Sequence, residues 1–152
     1  MKALLDTNVW LDWLVFEDPA VAMVRSAVLS GRLQLLASPR MRDELADVLA
    51  RPAVAAQALA ARLRRGVTEQ MPDLGRTLAE FDAHVAHCDP APPCDLACRD
   101  PDDQMFLDLA VAHRARWLFS KDRALIALAR TARMRHGLLI VHPARLPDGA
   151  NL

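Results

Sequence analysis

The sequence has no excess of either charge: 19 Lys plus Arg stand against 19 Asp plus Glu, so the net charge is zero. This excludes a nucleic-acid clamp that works by bulk positive charge, while leaving room for a nucleic-acid enzyme whose charges are arranged locally. It has no apolar stretch near the ~18 residues that a membrane span needs. The apolar run after Met1-Lys2 meets Asp6 at once, so neither a membrane anchor nor a secretory leader is expected. Cysteine is scarce and odd in number, with Cys88, Cys94 and Cys98 crowded into one segment. That argues against a disulfide framework and for a reducing cytoplasm. Lysine occurs only at positions 2 and 121, so nearly every cationic side chain is an arginine, the better phosphate fork. Internal repeats and low-complexity tracts are lacking. What is present, 152 residues with 53% hydrophobic and 25% charged, suits one packed domain over 1–152.

The even balance conceals a split along the chain. From Glu80 to Asp108 the acids Glu80, Asp82, Asp89, Asp95, Asp100, Asp102, Asp103 and Asp108 face Arg99 alone. From Arg114 to Arg135 the bases Arg114, Arg116, Lys121, Arg123, Arg130, Arg133 and Arg135 face Asp122 alone. The basic run reads either as a solvated helix face or as a grip on phosphates.

Short apolar runs alternate with helical patterns. Strands are expected at 2–5, 34–37, 85–88, 116–120 and 138–141. Helices are expected over 9–16, from Pro19 to about Ser30 with Gly31 closing it, and from Pro39 to about Ala50 with Ser38 as N-cap and Pro52 as stop. Further helices are expected over 53–65, 66–83 with Pro72 near the start, 101–114 and 122–131. Pro90, Pro92 and Pro93 mark 89–100 as loop. Five short strands alternating with helices imply an α/β fold in three layers, a mostly parallel sheet covered on both faces.

In such sheets ligands bind outside the carboxyl ends of the strands. Asp6-Thr7-Asn8 follows the first strand, Asp122 follows the 116–120 strand, and Asp102 and Asp103 open the helix begun by Pro101. Asp43 and Glu44 sit on the helix begun by Ser38-Pro39. Each acid alone has an ordinary explanation, as a helix N-terminal residue or a solvated partner of Arg40 or Arg42. If the topology sets these elements side by side, several carboxylates converge, and their repulsion is relieved by protonation or by a cation. Oxygen donors without His or Cys select a hard ion, Mg²⁺ or Mn²⁺, and such a site suits phosphodiester hydrolysis.

Four tracts carry a resemblance: LLDTNVWL at 4–11, SPRMRDELADVLARP at 38–52, CRDPDDQMFLDLAVAHRARWLFSKDRALI at 98–126 and GLLIVHPARL at 137–146. In this order they resemble PIN-domain proteins of the VapC-like group, the toxin components of toxin–antitoxin pairs. The tract at 98–126 is the most specific. The resemblance implies a PIN-like fold and a metal-dependent endoribonuclease in which Asp6, Glu44, Asp103 and Asp122 surround one or two Mg²⁺ or Mn²⁺ ions, and one carboxylate or a metal-bound hydroxide attacks the phosphorus in line. Asn8 and Ser120 are implied as supporting polar groups. Lys121, standing where the family often has Gly, would contact phosphate or partly neutralise the acids. The arginines of 114–135 would hold the RNA backbone, a small antitoxin would fill the cleft, and two copies would pair as a homodimer. Residues 53–97 match poorly, and His113-Arg114 replaces a pair of small residues common in the family.

Two other features invite a functional reading. His84, His87, Cys88, Cys94 and Cys98 are zinc-type ligands, but their spacing fits no familiar zinc motif, and thiols packed near a strand end are the simpler reading. Trp10, Trp13 and Trp117 could stack bases, yet Trp10 and Trp13 share one helix face, which favours packing. The alternative function is a catalytically silent PIN domain that serves as a protein- or RNA-binding module. The complete acid set argues against it. A phosphate-accepting signalling domain would want its acidic pair at the first strand, where this chain has Asp-Thr-Asn.

Overall fold

A computed structural model describes residues 1–66, 73–146 and 152. Five strands, β1 (Lys2–Leu5), β2 (Gln34–Ala37), β3 (Val85–His87), β4 (Trp117–Phe119) and β5 (Leu139–Val141), form one sheet in the order β3-β2-β1-β4-β5. Every pairing is parallel. The apolar runs explain this: Leu4, Leu5, Leu118 and Phe119 are buried, as strands covered on both faces must be. Three strands end a residue or two inside their expected limits.

The chain leaves β1 for β2 on one side, and β4 returns to pair with β1 on the other. The crevice at a parallel sheet's switch point therefore opens over the carboxyl ends of β1 and β4. The amide of Asp6 donates to the Phe119 carbonyl at 3.0 Å, closing the two strands together where they end.

The helices follow local signals. α1 (Thr7–Leu11) starts immediately after Asp6 and continues as a π-helical turn over Asp12–Phe16. A 3₁₀ turn at Pro19–Val21 leads into α2 (Ala22–Leu29), and Gly31 at φ +73° turns the chain back, a conformation costly for other residues. Pro39 opens α3 (Pro39–Leu49) after an extended Ser38, and Pro52 opens α4 (Pro52–Arg64). Asp73 caps α5 (Leu74–His84); the start expected near Pro72 lies outside the described residues. Pro101–Asp103 is a 3₁₀ turn ahead of α6 (Gln104–Ala112).

The single helix expected over 122–131 is two: α7 (Arg123–Ile126) and α8 (Ala129–His136). The Leu128 amide bonds back to Leu125 in a tight turn, which redirects the axis so that both Leu125 and Ala132 reach the core. No Gly or Pro stops α8 until Gly137 at φ +67°.

The tryptophans pack inside. Trp10 lies 5.4 Å from Trp13 and 4.6 Å from Phe81 between ring centres, and all three are buried. Trp117 stacks on Phe119 at 5.6 Å.

Candidate active site

Asp6 is the most buried acid among the described residues, 2% exposed at the end of β1. One carboxylate oxygen accepts from the Val9 amide at 2.7 Å and so caps α1. The other accepts from the Ser120 hydroxyl at 2.5 Å and from the Lys121 amide at 3.0 Å. Burial pushes its pKa up, and the bonds from Ser120, Val9 and Lys121 oppose that.

Ser120, fully buried at the end of β4, joins two acids: it donates to Asp6 and accepts from the Asp122 amide at 2.9 Å. Asp122 then caps α7, accepting from Ala124 at 2.6 Å and Leu125 at 3.3 Å. Both strand-end acids are thus held by backbone geometry that the strand-to-helix turns impose.

Glu44 projects from α3. Its Oε2 is buried and has no hydrogen-bond partner among the described residues. Burial raises its pKa, the charges of Asp102 and Asp6 add to the rise, and Thr7 and Arg40 oppose it. Asp103, at the end of the 3₁₀ turn, is pushed up to about 7, first by burial and then by Asp122, Asp100, Asp6 and Glu44. Asp103 feels the charges of all three other acids, so the four lie toward the same end of the sheet, at the carboxyl ends of β1 and β4. Among the described residues, no three His, Cys, Asp or Glu side chains are close enough to hold an ion as they stand. Like charges this near repel, and a cation would have to draw them in.

The sequence reading missed two members of this region. Asp100 lies in the 89–100 loop, yet it acts on Asp103 more strongly than Asp6 or Glu44 does. Asp-Pro at 100–101 was the available signal: Asp100 caps the turn by accepting from the Asp102 amide at 3.0 Å and stands next to the acids. The other is Asp12. Its side chain is 7% exposed and takes the Lys121 ammonium at 2.8 and 3.1 Å. The Lys121 head group is therefore engaged with Asp12, while its backbone amide serves Asp6. Asn8 is exposed and its side chain makes no hydrogen bond among the described residues.

The arginine band at 114–135 does not act as one grip. Arg123 lines a groove of about 660 Å³ with Arg99, Asp100, Pro101 and Asp122. Arg116 instead bonds the Gly137 carbonyl, Arg135 pairs with Asp95 at 3.2 Å, and Arg130 and Arg133 line a different groove beside Met134. On the other side of Pro101, Arg40 lines a groove of about 380 Å³ with Ser38, Cys98 and Gln104. The arginines nearest the acids are thus Arg99 and Arg123, which share a groove with Asp122, and Arg40, whose charge acts on Glu44.

The His and Cys residues do not converge. His84 rests on the Trp13 ring at 5.2 Å, and His87 pairs with Asp82 at 3.3 Å. The three cysteines are free and half-buried, with their thiol pKa values raised chiefly by burial.

Comparison with known proteins supports the same architecture. No curated protein sequence matches this chain. Among solved structures, the crystal structure of VapBC2 from Rickettsia felis bound to a DNA fragment from their promoter contains a similar chain. The likeness has a TM-score of 0.56 at 13% identity and covers 93% of this chain and 98% of that one, which establishes the fold. A sequence model described as PIN domain matches residues 2–124. With that match spanning most of its length, the chain belongs to the PIN-domain family.

Proposed function

We propose that the protein is an endoribonuclease dependent on Mg²⁺ or Mn²⁺, the toxin half of a toxin–antitoxin pair. The observation that carries the reading is the gathering of carboxylates at the β1–β4 switch point: Ser120 ties Asp6 to the Asp122 turn, and the charges of both, with that of Glu44, reach Asp103 and help to raise its pKa. The donor set fits a hard cation. Asp6, Glu44, Asp103 and Asp122 offer only carboxylate oxygens, and the orphaned Glu44 Oε2 is a buried acceptor in want of a partner.

A bound cation would supply charge neutralisation at the phosphate and a more acidic water. The chain's own residues do the rest. Ser120 and the Lys121 amide hold Asp6 and the α7 turn holds Asp122, which leaves Glu44 and Asp103 as the acids that a cation would draw in. Arg99 and Arg123, which share a groove with Asp122, and Arg40, whose charge reaches Glu44, would take backbone phosphates of the RNA independently of base sequence.

The likeness to the Rickettsia felis VapBC2 chain supports a small antitoxin as partner. Exposed Leu59 and Leu63 on α4, and Met23 and Leu29 on α2, are apolar surface for that antitoxin or for a second copy in a homodimer. No helix is long and apolar enough to cross a membrane among the described residues. The three free cysteines suit a reducing cytoplasm, where we place the reaction.

The test is cleavage of a panel of tRNA, rRNA fragments and mRNA by the wild type and by Glu44→Gln, each with Mg²⁺, Mn²⁺ or EDTA. Cutting by the wild type that both EDTA and the variant abolish supports the reading. Absence of cutting from antitoxin-free protein with either ion supports the silent binding module instead.

A further inference from the structure

Lys121 interrupts the family resemblance, and its side chain turns away from the four acids to Asp12. The ammonium bonds both oxygens of the Asp12 carboxylate at 2.8 and 3.1 Å. Asp12 is nearly buried, whereas Lys121 is about one-third exposed, so the contact is anchored on the Asp12 side. Asp12 belongs to the π-helical turn that continues α1, the helix capped by Asp6. Lys121 lies between Ser120, which bonds Asp6, and Asp122. Its own amide donates to Asp6. One side chain therefore ties the β4–α7 turn to the α1 element, at the two strand ends that carry Asp6 and Asp122.

We propose that Lys121 is a positioning residue, and that its clasp on Asp12 holds the β4–α7 turn against α1, and with it the placement of Asp6 relative to Asp122 from which a divalent cation gathers the acids. This rests on the metal-site reading above. It makes a prediction opposite in sign to simple electrostatics. An ammonium near an acid cluster repels an incoming cation, so on charge alone its removal should tighten cation binding. If the clasp sets the geometry, its removal should loosen binding, as loss of groups that orient metal ligands does.

The experiment is Mn²⁺ titration of the full chain by calorimetry, without RNA. Lys121→Met keeps most of the methylene packing and removes the clasp. Lys121→Arg restores a cation able to fork Asp12. Lys121→Met/Asp12→Asn removes the buried charge that the single variant strands, so stability recovers while the clasp remains absent. The expected result is a loss of about tenfold or more in Mn²⁺ affinity in Lys121→Met, the same loss in the double variant despite a recovered melting temperature, and near-wild-type affinity in Lys121→Arg. Unchanged or tighter Mn²⁺ binding in both clasp-free variants overturns the positioning role and leaves the metal site standing. A wild-type chain that takes up no Mn²⁺ overturns the metal reading and the role of Lys121 together.

Discussion

Cation binding should depend steeply on pH around neutrality, because Asp103 must lose a proton to become a ligand. Burial and its acidic neighbours push its pKa up to about 7 in the cation-free protein. Proton and cation compete for one carboxylate, so apparent affinity follows the fraction deprotonated. With a pKa of about 7, roughly one molecule in eleven is deprotonated at pH 6 and about ten in eleven at pH 8, a difference of about tenfold in apparent Mn²⁺ affinity. The rise should level off above pH 8. Calorimetric titrations at pH 6, 7 and 8 measure it, with Asp103→Asn as control. In that variant, binding should be weaker throughout and flatter with pH. A wild-type affinity that is constant from pH 6 to 8, or a slope that persists in Asp103→Asn, would refute the assignment of the titration to this carboxyl.

Stability without the ion should move in the opposite direction. A raised folded-state pKa on an acid gives stability that is present below the ordinary value of 3.8 and lost as pH climbs through about 7, so the cation-free melting temperature should fall between pH 5 and pH 8 and recover on adding Mn²⁺. Glu44→Gln should raise the cation-free melting temperature at pH 8 while removing Mn²⁺ binding, since it deletes a desolvated, repelled charge; a lowered melting temperature would contradict this. Asp6→Ala should destabilise by about 2–4 kcal/mol in denaturant unfolding, through loss of the α1 cap and of the acceptor for Ser120 and the Lys121 amide. Asp6→Asn should lose less, because it keeps an oxygen for the cap. Alanine at Arg40, Arg99 or Arg123 should each weaken RNA binding uniformly across sequences and reduce the salt slope by about 0.7, read by filter binding from low to moderate salt.

Most of the scaffold was legible because its signals are local. Apolar runs of three or four residues between helical patterns predict the strands, and Ser38-Pro39, Pro52 and Gly31 mark ends where the structure has them. The α7–α8 break was not legible, since nothing but the burial of Leu125 and Ala132 forces the turn between them. Asp6 and Asp122 follow strands and Asp103 opens a helix, positions that the parallel topology gathers at one end of the sheet; Glu44, midway along α3, bears no such local mark and was singled out by the family resemblance. What escaped depends on pairings across long stretches of chain. Lys121 finds Asp12 over 109 residues, and no spacing rule links them. The arrangement of the arginines was hidden for the same reason: a dense basic run in sequence disperses over several faces once α7 and α8 part, while isolated Arg99 shares a groove with Asp122 and Arg40 acts on Glu44.

The central claim, that these four acids hold a divalent cation, is tested most directly by anomalous scattering from crystals of the full chain soaked in Mn²⁺. The account predicts a peak in coordination contact with carboxylates of Asp6, Glu44, Asp103 and Asp122, over the carboxyl ends of β1 and β4. Crystals with an open cleft that show no peak there, or a peak only among His84, His87 and the cysteines, would contradict it.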